Sequence, residues 1–260
     1  TTNPPGNEVE CVHYINTLLT EAGFETMLLG PNPARPNLVT RLKGRGDARP
    51  LLLQGHIDVV TTAGQAWQHP PFAGTIADGY LWGRGTLDMK GGVAMMLASL
   101  LKAKAEGIEF PGDVVLALLS DEEAGGIEGA QYLVEHHADL FQNIRYALGE
   151  FGGFSVHIGG KKLYIIQVLE KQVCWMKATL RGPGGHASLP MRGGASAKLG
   201  RLLQTLDQKR LPIHITDIPR QMLETLSTTL PGDAGMQFKR MLDPTQTDNA
   251  LDTLGIQQRL

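Results

Sequence analysis

Five stretches of this chain bring histidine or carboxylate side chains to places where a metal ion or a proton could be handled. Gln54-Gly55-His56-Ile57-Asp58 is the first. In extended backbone, side chains two positions apart face the same way, so Asp58 can orient the His56 imidazole while the other ring nitrogen holds a metal. Taken alone, this stretch fits a core histidine with a capping aspartate at least as well. The second stretch, Gly83-Arg84-Gly85-Thr86-Leu87-Asp88-Met89-Lys90-Gly91-Gly92, delivers one carboxylate, Asp88, from a glycine-rich loop that opens a helix. Its spacing matches neither a dinucleotide fingerprint nor a phosphate-binding P-loop. A bridging metal ligand is the better use for Asp88, in combination with the other sites.

Ser120-Asp121-Glu122-Glu123 places three acids in a row directly after an apolar run. Adjacent like charges at a buried strand end repel one another unless protons or cations compensate them, and a dication is the simplest compensation. A solvated acidic turn is the competing interpretation. Against it, another strand-like run, Tyr146–Leu148, also ends in an acid, Glu150. The fifth stretch holds His186 in Gly182-Pro183-Gly184-Gly185-His186-Ala187-Ser188, which by itself suits a turn histidine.

The elements around these residues alternate. Glu8 to Ala22 carries a helical apolar stripe ending at Gly23, and short strand-like runs follow at Thr26–Leu29, Leu38–Leu42 and Leu51–Leu53. Gly91–Ala105 has helical composition, while Val114–Leu119 is an unbroken apolar run of the kind buried on both faces of a parallel sheet. Helix fits Glu128–His137. This order predicts an α/β fold, a mostly parallel sheet sandwiched by helices, with the segments carrying His56 and Asp58, Asp88, the acids Asp121 to Glu123, and Glu150 delivered to one edge of that sheet. From Phe154 to Leu180 the texture changes to consecutive strands, including Tyr164–Leu169 and Val173–Leu180, before a helix at Ala195–Leu206. We therefore expect a first domain over residues 1–152 and an α+β domain over 153–260. Nothing beyond Pro212 suggests chemistry, and His136 and His137 read as surface residues at a helix end.

Composition narrows the partners. Lys plus Arg is 24 and Asp plus Glu is 26, a net charge of -2, which carries no signature of nucleic acid or an anionic membrane. Cys11 and Cys174 form no CxxC pair, so a metal must be held by histidine and carboxylates. No run approaches the roughly 20 apolar residues that span a bilayer. A cytoplasmic protein is expected, although a start at Thr1 rather than Met leaves a removed targeting segment, and so a secreted or lumenal location, open.

The stretches GHIDVV, GRGTLDMKGG, SDEEAGG, LGE and GPGGHASLP, in that order from Gly55 to Pro190, resemble the co-catalytic zinc aminoacylases, succinyl-diaminopimelate desuccinylases and carboxypeptidases. Trp67-Gln68-His69-Pro70-Pro71-Phe72 and Glu150-Phe151-Gly152-Gly153-Phe154 look most like the carboxypeptidase S and N-acyl-amino-acid hydrolase branch. The resemblance implies a zinc-exopeptidase-like catalytic domain with a lid and dimerisation domain, and a homodimer formed through the lid. It implies two Zn2+, with Co2+ or Mn2+ as substitutes: His56 and Glu150 on one metal, Glu123 on the second and Asp88 bridging both. Glu122 would be the general base, Asp58 would orient His56, and His186 would donate to the developing oxyanion. The implied activity is hydrolysis of an amide or peptide bond next to a free carboxylate, in an N-acyl amino acid or short peptide.

The same resemblance implies a return of the chain to the catalytic domain with a final histidine on the second metal. Leu260 comes before any such segment, and His214 does not resemble that ligand. The expectation is therefore a tight metal position at His56, a weaker one at Glu123, and little or no activity in the 260 residues alone. A non-catalytic metal-binding or dimerisation module derived from such an enzyme is the alternative class, and a nucleotide-binding protein a distant third.

Overall fold

The computed structural model describes all residues except 151, 172, 187, 190, 191 and 256–260, and leaves aside the burial of 152 and 153. The chain divides into two compact units, Thr1–Glu150 and Phe151–Leu260.

The first unit is built on a five-stranded sheet. Its strands are β1 (Thr26–Leu29), β2 (Asn37–Leu42), β3 (Leu51–His56), β6 (Val114–Leu119) and β7 (Tyr146–Leu148), in the spatial order β1-β2-β6-β3-β7. Strand β3 pairs in parallel with both β6 and β7, while β2 runs antiparallel to its neighbours β1 and β6. The sheet is therefore mixed but mostly parallel in strand direction, with helices packed on it, as the alternation of elements predicts. All six residues of β6 are buried. Leu116 and Leu118 pack on one face with Val12 and Leu19 of α1 (Val9–Glu21) and Val93 and Leu97 of α2 (Lys90–Ala105). Val115, Ala117 and Leu119 point to the other face, against Leu133 of α3 (Tyr132–His136). This two-sided burial explains why β6 is apolar without alternation.

A hairpin that the sequence pattern did not reveal, β4 (Thr75–Ala77) with β5 (Tyr80–Trp82), lies between β3 and α2. It is short and half-exposed, so it carries too little apolar periodicity to stand out.

The second unit contains the antiparallel pair β8 (Gly152–Ile158) and β9 (Lys161–Ile166), then α4 (Ala195–Gln208), α5 (Asp217–Thr229), α6 (Gly232–Arg240) and α7 (Thr247–Thr253). Its core gathers Leu223, Leu230, Phe238, Met241 and Leu251. The strand expected at Val173–Leu180 is not formed: the described residues there have no regular secondary structure, and Val173, Trp175 and Met176 are exposed. A strand-like composition becomes a strand only where a neighbouring chain segment accepts its backbone hydrogen bonds, and none does so among the described residues. Likewise, Tyr164–Leu169 ends as a strand at Ile166. Among the described residues, no helix is long and apolar enough to cross a membrane.

Candidate metal centre

The parallel register aligns three strand ends. His56 is paired opposite Leu119 and Leu53 opposite Leu148, so the residues following β6 and β7 emerge at the same sheet edge as the last residue of β3. His56 is the terminal residue of β3 itself, which runs past Leu53, the end expected from the sequence, as far as His56. Gly55 beside it lies under α2: a Cβ there would come within 2.9 Å of Met89 Cε and 3.0 Å of Val93 Cγ2, so a larger side chain would have to displace them.

The loop that carries Asp88 is held from several directions. Arg84 stacks 5.1 Å over the Trp67 ring and donates from Nη2 to Gln65 at 2.7 Å, while its backbone N–H reaches Pro71 O at 2.7 Å. Gly85 adopts φ +86° with a Cβ position 2.7 Å from Val59 Cγ1, a conformation and a contact that together require glycine. Asp88 then lies just ahead of α2, with Met89 as its cap residue.

These elements bring the expected ligands together. His56 Nε2 is 2.9 Å from Asp88 Oδ1, 3.6 Å from Glu150 Oε2 and 3.9 Å from Glu122 Oε2. Two sets of ligand atoms each fall within 4.8 Å of one another, His56 with Glu122 and Glu150, and His56 with Asp88 and Glu123. The imidazole is buried whereas Asp88 and Glu122 are about half exposed, their side chains at 53% and 48%, so the cluster opens to solvent on its carboxylate side. His56 Nδ1 lies 3.0 Å from the Asp58 carbonyl oxygen and 3.4 Å from Asp58 Oδ1. A carbonyl oxygen only accepts, so Nδ1 carries a hydrogen; without metal, Nε2 donates to Asp88 Oδ1, and a bound ion would take the place of that second hydrogen.

Asp58 does more than orient the ring. Its carboxylate accepts the backbone N–H groups of Glu122 at 3.1 Å and Glu123 at 3.0 Å, tying the loop after β6 to the end of β3. Burial works against the charge of Asp58, but these hydrogen bonds, with those from His56 and Asn3, outweigh it and lower its pKa.

The third acid of the triplet goes elsewhere. Asp121 has φ +68° and forms an ion pair at 3.0 Å with Arg35, whose Nε is 2.9 Å from Glu8 Oε2. The charge of Asp121 is thus compensated by a guanidinium, not by a dication. This corrects the expectation that one cation explains all three acids. The residues missed in the sequence are those of this buried network, Asn3, Glu8 and Arg35, all under 10% exposed. Glu8 reads as an ordinary helix-start acid and Arg35 as a loop cation, so only their burial marks them.

Electrostatics agree with a cation site. Burial opposes protonation of His56, yet the hydrogen bond with Asp58 and the charges of Glu122, Glu150 and Asp58 raise its pKa to about 10. Burial, a hydrogen bond shared with Asp88 and the Asp88 charge raise Glu150 to about 7; burial and Asp88 also raise Glu123. Protons here stand in for missing positive charge. One imidazole nitrogen with several carboxylate oxygens, and no thiolate, suits zinc, cobalt or manganese, so the donor set fits divalent metal.

The shifts set a sign for stability. His56 and Glu150 bind protons more tightly in the folded metal-free protein than when unfolded, so stability must fall as pH rises. The His56 contribution is complete below about pH 6.5 and is lost towards pH 10; that of Glu150 is lost between about pH 4.5 and 7. The melting temperature of the metal-free protein is expected to decline from pH 6 to pH 10, and saturating zinc should flatten that decline. A metal-free Tm that rises across this interval would contradict the charge balance described.

His186 belongs to the second unit. Its Nδ1 lies 2.8 Å from Ser188 Oγ and accepts the Ser188 backbone N–H at 3.2 Å. With Nδ1 acting as acceptor, the neutral ring carries its hydrogen on Nε2 and presents a donor. Ala187 and Pro190 of this motif lie outside the described residues, as does Phe151. His136 is exposed at the end of α3 and His137 half-buried beside it, both against the Tyr132 ring.

Comparison with known proteins adds an independent line. The model of peptidase family M20/M25/M40 matches residues 52–222. A probable carboxypeptidase S-like 2 from Dictyostelium discoideum is 34% identical over 189 residues, 67% of this chain and 35% of that protein. A succinyl-diaminopimelate desuccinylase from Cereibacter sphaeroides is 39% identical over 199 residues, 76% of this chain and 51% of that protein. Aminoacylase-1 from Sus scrofa is 31% identical over 190 residues, 67% of this chain and 45% of that protein. The chain thus spans between a third and about half of the length of these relatives.

Proposed function

The chain belongs to peptidase family M20/M25/M40, and from that premise we propose that it takes part in metal-dependent hydrolysis of an amide or peptide bond adjacent to a free carboxylate, in an N-acyl amino acid or short peptide. The observation that carries this reading is the convergence of Asp88, Glu122 and Glu150 within 4 Å of a buried imidazole nitrogen whose partner nitrogen is committed to Asp58.

In this reading His56 and Glu150 would hold one ion and Glu123 the other, with Asp88 available to both. Bound Zn2+, or Co2+ or Mn2+, would supply Lewis acidity for the scissile carbonyl and for the attacking water. Glu122 accepts a proton from the attacking water as its oxygen bonds to the carbonyl carbon. That proton is passed to the leaving nitrogen as the C–N bond breaks, so the carboxylate is regenerated. His186, with hydrogen on Nε2, donates to the oxygen that gains charge. The first unit serves as catalytic domain, and the second as lid and dimerisation domain.

The test combines metal analysis with turnover of N-acetyl amino acids and dipeptides by the longest polypeptide carrying these residues. Bound metal together with hydrolysis that requires the free carboxylate is the expected outcome. Metal binding with no hydrolysis would favour the binding-module alternative, and absence of bound metal would remove both.

A further inference from the structure

The segment Thr1–Asn3 has no role in the scheme above, yet it is pinned beside the metal centre. Thr2 pairs with Val59 in a parallel bridge, the Asn3 backbone N–H donates to Val59 O at 2.8 Å, and Val59 N–H donates to Thr1 O at 3.0 Å. Lys90 Nζ, at the start of α2, adds a hydrogen bond to Thr1 Oγ1 at 2.7 Å. This places the Asn3 carboxamide, 3% exposed, between two buried carboxylates. Its Nδ2 donates to Asp58 Oδ2 at 2.8 Å and to Asp121 Oδ1 at 3.1 Å.

The two acids it joins have different neighbours. Asp58 faces His56 and the backbone of Glu122 and Glu123. Asp121 faces Arg35 and accepts the Glu128 N–H at 3.1 Å. Two carboxylates this close repel unless hydrogen is placed between them, and a primary amide has two N–H groups on one nitrogen, one for each acid. It does so without charge, so it neither competes for a cation nor adds to the positive side of the Arg35 network.

We propose that Asn3 is a positioning residue for the metal centre, setting the separation of Asp58 and Asp121 so that Asp58 holds the His56 ring and the Glu122–Glu123 backbone in ligating register. The proposal rests on the reading of His56, Asp88, Glu123 and Glu150 as metal ligands. Asn3 acts through Asp58 and touches neither metal nor substrate.

The test compares the wild-type chain with Asn3→Leu, which keeps the shape and removes both donors, and Asn3→Ser, which can serve only one acid and is small enough to be accommodated. Each is titrated with Zn2+, and the Co2+-loaded proteins are compared by visible absorption, with folding checked by circular dichroism. In the wild type, visible bands of bound Co2+ that are lost in His56→Ala test the underlying reading by themselves. Given that, a folded variant should bind zinc about ten- to a hundredfold more weakly, with a shifted cobalt band, and Asn3→Leu should be affected more than Asn3→Ser. If Asn3→Leu does not fold, Asn3→Ser decides. Wild-type zinc affinity and an unchanged cobalt spectrum in a folded variant, even one with a lowered Tm, would mean that Asn3 merely fastens the N-terminal segment, and would overturn the proposal.

Discussion

Glu122→Gln is expected to retain its metal and to lose hydrolysis by about two to four orders of magnitude, the range ascribed to a positioned general base. The amide has the shape of the carboxylate but cannot take a proton from water. Its main chain is also secured independently of the side chain, since the Glu122 N–H is bound by Asp58 at 3.1 Å. The geometry contains a sharp competitor. Glu122 Oε2 lies 3.9 Å from His56 Nε2 and forms a compact set with His56 and Glu150, so Glu122 could be a ligand. Elemental analysis separates the two roles. A base leaves metal content unchanged while turnover collapses, whereas a ligand loses both together, and turnover above a tenth of wild type would exclude Glu122 as the base.

Asp88→Ala should have the largest effect on metal content, removing both equivalents. Asp88 is the acid nearest His56 Nε2, at 2.9 Å, and it also groups with Glu123. One carboxylate thereby reaches toward both proposed positions. The substitution should not endanger the fold, because the Asp88 side chain is 53% exposed and α2 is anchored through buried Val93, Leu97 and Leu100. Metal titration of the folded variant should therefore show weak binding throughout and no hydrolysis. Retention of one tight equivalent would show that Asp88 serves a single ion, and the bridging role would be withdrawn.

Much of the first unit was legible without coordinates because its signals are long or chemically unusual. The apolar run Val114–Leu119 and the helical stripe of α1 appear where the patterns put them, since burial on both faces or on one stripe leaves a strong periodic imprint. The hairpin β4–β5 and the unformed strand at 173–180 show the opposite limit. Three-residue strands imprint little, and an extended apolar segment cannot reveal from its own residues whether a partner strand exists.

By itself, the sequence determined which side chains could do chemistry: His56, Asp88, the acids after β6 and Glu150, in an order that already resembled a metallohydrolase. Only the tertiary structure decided how those acids divide. Asp121, Glu122 and Glu123 are chemically near-equivalent neighbours, and their separation depends on a backbone turn at φ +68° and on Arg35, which lies 86 positions before Asp121. The same holds for Asn3, whose two N–H groups meet acids 55 and 118 positions away. Charge compensation in a buried site is a property of distances through space, and local pattern carries no record of them.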